Sequence, residues 1–130
     1  MTEVNYPEGS PSQKTYEKYK LPGGGYGFVL SMRFSSPGKA IAFHDALDVA
    51  KGPSLGTNFT LACRSPSHFI LPLLIGSAGP YTLLAHFKEL EWAAEYGVVE
   101  HLVRISVGLE GEEWLRARVD RALRAAERQT

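Results

Sequence analysis

One arginine inside an apolar strand is the residue of this chain best equipped for chemistry. His101-Leu102-Val103-Arg104-Ile105-Ser106-Val107-Gly108-Leu109-Glu110 reads as a short strand, a tight turn and the start of a helix. Strand side chains alternate between faces, so Val103, Ile105 and Val107 share an apolar face and Leu102, Arg104 and Ser106 share the other. A guanidinium in such a strand is costly unless something anionic meets it. Its planar fork matches a carboxylate through two parallel hydrogen bonds. From spacing alone two readings stand. Arg104 faces solvent or pairs with an internal Asp or Glu, the commoner outcome, or it grips the carboxylate of a ligand.

The other reactive side chains form no constellation. His44, His68, His86 and His101 lack metal-ligand spacing, and Cys63 has no paired Cys or His. A buried structural thiol is the expectation for Cys63. Gly23-Gly24-Gly25 has the look of a phosphate loop. It lacks a preceding strand and a following helix with Lys-Ser or Lys-Thr, so it reads as a flexible lead-in to a strand. There is no nucleophile elbow.

Bulk properties narrow the classes. The chain has 130 residues, enough for one domain with a core that needs no staples. Fourteen basic and fourteen acidic side chains give a net charge of zero, so composition offers no reason to expect nucleic acid or an anionic membrane as partner. A lone cysteine cannot form an internal disulfide and fits a reducing, cytoplasmic setting. The longest apolar run, Phe69 to Ile75, is too short to span a bilayer, and no secretory signal opens the sequence.

The elements that would position Arg104 follow from periodicity. Residues 1–25 read as an extended leading segment, in which Pro7, Gly9 and Pro11 disfavour regular structure. A short helix over Ser12–Tyr19, capped by Ser12, is allowed. Residues 26–130 then form a small domain. Phe28, Leu30, Met32 and Phe34 share one face of a strand. Ser36-Pro37 starts a helix that buries Ala40, Phe43, Leu47 and Ala50 and ends near Asp48. Val49–Gly56 is a second strand candidate, which Thr57–Cys63 continues. Thr82–Tyr96 reads as the clearest helix, with Leu83, Leu84, Phe87, Leu90, Ala94 and Trp92 on its apolar side and Gly97 as its stop. Glu112–Glu113 opens a last helix that buries Leu115, Val119, Ala122, Leu123 and Ala126. Its interleaved Arg and Glu read as a solvated face. The expected fold class is α+β, a small, largely antiparallel sheet with helices packed on one face.

Three runs carry a resemblance: Gly25-Tyr26-Gly27-Phe28, Lys51-Gly52-Pro53-Ser54-Leu55-Gly56, and Leu102 to Glu110. Together they resemble the C-terminal small domain of the Cys/Met-metabolism family of pyridoxal-phosphate enzymes. Within that family the chain is most similar to the fungal cystathionine γ-synthases of methionine biosynthesis. The resemblance implies the same α+β fold, that of fold-type I enzymes. It implies that Arg104 binds the substrate α-carboxylate and that Ser54 orders the edge of the site. Without the resemblance, Ser54 reads as a turn cap.

The family's cofactor lysine lies on a large domain, in a Ser-x-Thr-Lys context. None of Lys14, Lys18, Lys20, Lys39, Lys51 or Lys88 has that context. Covalent attachment of pyridoxal phosphate is therefore not expected in this chain, nor is catalysis by the chain alone. The implied partners are a large pyridoxal-phosphate domain or a further copy of the chain. The implied substrates of the full transsulfuration enzyme are a homoserine ester and cysteine. The alternative is a non-catalytic α+β binding or dimerisation module derived from such a domain. Residues 64–79 depart from the family pattern, in which an Ala-Cys like Ala62-Cys63 runs straight into a Pro-Tyr-Thr like Pro80-Tyr81-Thr82. This atypical insertion reads either as a surface loop or as a translated intron.

Overall fold

The fold is that of a computed structural model, which describes residues 1–52, 54–64 and 90–129. Five strands make one sheet: β1 (Glu3–Asn5), β2 (Val29–Arg33), β3 (Ala50–Lys51), β4 (Leu61–Arg64) and β5 (Leu102–Ser106). Their spatial order is β1-β2-β5-β4-β3. All neighbours are antiparallel except β3 and β4. Among the described residues four helices accompany them: α1 (Gln13–Glu17), α2 (Pro37–Ala46), α3 (Leu90–Glu95) and α4 (Glu112–Glu127). The expected α+β class, with a largely antiparallel sheet, is what forms.

Register divides the sheet into two chemically different faces. Met32 lies opposite Val103, and Leu30 opposite Ile105, which in turn faces Ala62. These residues point towards α2 and α4 and join Phe34, Ala40, Phe43, Leu47, Ala122 and Ala126 in one buried cluster. The Phe34 and Phe43 rings pack with centroids 4.9 Å apart. Each such large side chain taken from water contributes about 1.5–3 kcal/mol, which is what fixes the register. Ser31, Arg104 and Cys63 form a row across three strands of the opposite face.

Helix α2 starts as its sequence dictates. The Ser36 hydroxyl accepts from the Lys39 N–H at 3.4 Å, with Pro37 at the first helical position. The helix stops at Ala46, near the expected end, and its buried stripe is Ala40, Phe43 and His44, continued by Leu47. Ala50 is not part of that stripe. It belongs to β3 and is exposed, because the chain turns away after Leu47.

The arginines of α4 do more than face water. Arg118 and Arg121 reach back to the end of α2, donating to the carbonyls of Asp48 and Ala46 at 2.9 and 3.2 Å. Both also pair with the Asp48 carboxylate. Arg121 thereby occupies a carbonyl that the helix end leaves without a partner, and Arg118 holds the chain just beyond it.

Other expectations needed correction. The leading segment is extended, but Glu3–Asn5 pairs with β2 and makes an edge of the sheet. Ser12 precedes α1, yet its side chain makes no capping bond. The run from Val49 to Gly56 narrows to a two-residue β3, and Leu61–Arg64 is a strand of its own. All four residues of β4 are buried. A strand covered on both sides gives no alternation to read. On α3 Ala93 is buried, while Ala94 and Trp92 are exposed. Gly97 does end that segment, at φ +78°. The part of this helix expected over residues 82–89 lies outside the described residues, as does nearly all of the 64–79 block.

Candidate functional site

Arg104 sits at the middle of β5, the centre of the sheet, on the face away from α2 and α4. Its neighbours across the strands are Ser31 and Cys63. The guanidinium is half-buried, and Nη2 donates to the backbone carbonyl of Ser54 at 3.1 Å. The two residues singled out from sequence, fifty positions apart, are thus brought together. The contact is made by the Ser54 main chain rather than by its hydroxyl. An arginine fork held on one side by a carbonyl presents its plane in a fixed direction, the arrangement that carboxylate recognition needs.

The Ser54 loop is held against β5 along its length. The Gly56 N–H donates to the Ser106 hydroxyl at 3.1 Å, and Gly56 takes φ +73° with the Phe28 ring beneath it. Further on, the Leu109 N–H donates to the Asn58 carbonyl at 3.0 Å. Glu110 closes the assembly. One carboxylate oxygen accepts from the Thr60 N–H at 2.6 Å, and the other from the Thr60 hydroxyl at 2.7 Å. The Thr60 hydroxyl oxygen in turn accepts from the Gly108 N–H at 2.9 Å. Sequence reading made 108–111 a plain turn and missed this clamp. Gly108 and Glu110 lay in the run already singled out, but their partner Thr60 is some fifty residues away.

Glu110 gives the clamp a pH dependence. Burial pushes its carboxyl up, but the Thr60 N–H and hydroxyl donate to the charged form and together hold it below its ordinary value of 4.5. A carboxyl with a depressed folded-state pKa contributes stability that is fully present above its unfolded pKa and lost as pH falls through the folded one. Wild type should therefore lose stability more steeply below about pH 4.5 than Glu110→Ala does. Urea unfolding midpoints from pH 6 down to 3 check this; parallel curves for the two proteins would contradict it.

Cys63 is buried beside Arg104. Burial pushes its thiol up to about 11, and the Arg104 charge offsets part of that rise. It is a neutral packing residue at neutral pH, in keeping with the structural role expected of it. Arg64, the first residue of the 64–79 block, is buried on the helix side opposite Val103. Its Nε and Nη1 make no hydrogen bond, a local cost the strand carries there.

No histidine, cysteine, aspartate and glutamate group suited to a metal occurs among the described residues. His68 and His86 lie outside them. Lys51 does not fit a covalently held pyridoxal group either. Lys51 has a lowered pKa, chiefly from burial, yet its Nζ donates to the carbonyls of His44 and Leu47 at the end of α2. By register it lies on the helix-covered face, opposite Ala62, away from Arg104. Lys88 lies outside the described residues.

A groove of about 540 Å³ adjoins the loop, lined among others by Phe28, Leu30, Gly56, Val107 and Leu109. Around it stand the exposed apolar side chains of Phe28 (47%), Leu55 (52%), Phe59 (47%) and Leu109 (86%). Clustered apolar exposure of this kind marks a surface meant to be covered.

Known proteins bear on this geometry. The chain is 48% identical over 124 residues to a cystathionine γ-synthase-like protein of Aspergillus thermomutatus, covering 95% of this chain and 19% of that protein. It is 47% identical over 125 residues to a cystathionine γ-synthase of Neurospora crassa, covering 96% of this chain and 18% of that one. The chain thus spans about a fifth of the length of these relatives, a C-terminal portion. The cystathionine γ-synthase of Xanthomonas oryzae, solved with cystathionine, has the same fold over 97% of this chain and 29% of its own. The TM-score is 0.73 at 22% identity. No protein-family model matches.

Proposed function

We propose, taking as premise that this chain is a C-terminal relative of the fungal cystathionine γ-synthases, that it supplies the substrate-carboxylate side of a pyridoxal-phosphate-dependent transsulfuration site. Arg104 receives the α-carboxylate of the amino-acid substrate. Ser54 orders the edge of the site by giving its carbonyl to the guanidinium. The observation that carries this reading is the 3.1 Å bond from Arg104 Nη2 to the Ser54 carbonyl. It ties the cation to the loop that carries Ser54, fifty positions away in the chain.

In the full enzyme the cofactor provides the electron sink for chemistry at the amino-acid carbon. This chain would bind and orient the substrate, a homoserine ester condensing with cysteine. The lysine that holds the cofactor would come from a large domain, and the chain by itself would be inactive. The setting would be the cytoplasm. No helix among the described residues is long and apolar enough to cross a membrane.

An absorbance scan of the chain with added pyridoxal phosphate tests the division of labour. The expected result is only weak, non-saturating imine formation that no single Lys→Ala substitution removes. A stable, saturable aldimine band dependent on one lysine would overturn it.

The apolar rim of Phe28, Leu55, Phe59 and Leu109 supports a second reading, a non-catalytic module that associates through this surface. Light scattering separates the two. A stable dimer that does not dissociate when a large domain is supplied favours the module, and a complex with the large domain favours the first reading.

A further inference from the structure

Two residues of β5 and two residues of the facing loop share one spacing. Arg104 and Ser106 are two apart on the same face of the strand, hence about 6.8 Å apart along it. Ser54 and Gly56, the residues they hold, are also two apart. Arg104 donates to the Ser54 carbonyl, and Ser106 accepts from the Gly56 N–H, both at 3.1 Å. The loop therefore lies along the strand on two side-chain rungs. The rungs differ in stiffness. Ser106 is 1% exposed and its side chain is short, whereas Arg104 is half-buried and long. Ordering a long side chain costs more conformational entropy than ordering a short one.

We propose that Ser106 is the positioning residue of the carboxylate site: its hydroxyl anchors Gly56, which sets the Ser54 carbonyl at the height that orients the Arg104 guanidinium. Glu110 and Thr60 hold the far end of the same loop, and Gly56 supplies the positive φ that turns the chain between these holds. Ser106 touches no substrate in this account; it acts through the loop. The inference rests on the reading of Arg104 as the carboxylate ligand for its functional meaning, but not for its geometry.

The test uses the full chain, isotopically labelled, as wild type, Ser106→Ala and Ser106→Thr. Leu55→Ala serves as a control for the exposed part of the loop. Three quantities are read: hydrogen exchange of the Gly56 amide, the Nε–Hε resonance of Arg104, and the affinity for L-cystathionine. Far-UV circular dichroism certifies the fold of each variant.

Ser106→Ala should keep the fold, speed Gly56 exchange and shift the Arg104 resonance. It should weaken L-cystathionine binding about threefold to tenfold, the range one neutral hydrogen bond provides. Ser106→Thr, which restores a hydroxyl, should reverse all three changes, and Leu55→Ala should produce none. Unchanged Gly56 exchange in Ser106→Ala overturns the proposal, whatever Arg104 does. Faster exchange with Arg104 and affinity both unmoved overturns it too, and leaves the functional reading intact. Wild type that fails to bind L-cystathionine, while Ser106→Ala still shifts the Arg104 resonance, removes the functional reading and keeps the positioning role.

Discussion

Arg104→Met should lose affinity for an amino-acid carboxylate by roughly ten- to a hundredfold while the chain stays folded. Hydrogen bonds to charged groups are worth about 1.5–3 kcal/mol each, and truncating the guanidinium removes the fork that makes them. Methionine keeps much of the apolar stem, so the packing of β5 between β2 and β4 survives. Arg104→Lys should recover only part of the loss, because a point charge cannot make two parallel bonds.

A second readout needs no ligand. Arg104 lowers the Cys63 thiol pKa against the larger effect of burial, so Arg104→Met should raise it further and slow thiol alkylation at alkaline pH. Titration of wild type and variant with L-cystathionine, followed by side-chain NMR or calorimetry, measures the first effect. Equal affinities for the two proteins would remove Arg104 from the site.

The largest stability effect is expected at Gly108. A Cβ there would lie 2.4 Å from the Phe59 carbonyl carbon, 2.6 Å from its Cα and 2.6 Å from a Glu110 carboxylate oxygen. The first two are backbone atoms, and that stretch is held by the Asn58–Leu109 bond and by the Thr60–Glu110 clamp. No side-chain rotation relieves the clash, so the loop must leave β5. Gly108→Ala should cost about 3 kcal/mol, at the upper end of ordinary overpacking, and lower the Tm by about 10 °C. It should also shift the Arg104 resonance, since the loop that carries Ser54 moves. Gly111→Ala is the control. Nothing lies within 4 Å of its Cβ, and its φ of −60° suits any residue, so its effect should stay within about 1 kcal/mol. Equal melting temperatures for Gly108→Ala and wild type would show that the close approach is not fixed in solution.

What could be read beforehand shares one property: the signal lay within a few residues. Alternation alone assigned Arg104 and Val103 to opposite faces, and their cross-strand partners agree. Ser36-Pro37 announced the start of α2, and Gly97 the stop after α3, because caps depend on local backbone geometry. Where local signals were absent, the reading drifted. Glu3–Asn5 is exposed along its whole length, so nothing marked it as a strand. The fully buried β4 was run together with the segment before it.

By itself the sequence determined the α+β class, the apolar face of the sheet and the position of one cation on the other face, because strand and helix periods are properties of neighbouring residues. Only the tertiary structure decided that Ser54 meets that cation through its carbonyl, that Ser106 and Glu110 hold the loop, and that Lys51 is spent on closing α2. Those bonds join residues up to fifty positions apart. Which of many polar side chains becomes a partner is set by the register of the sheet, and no local pattern encodes that.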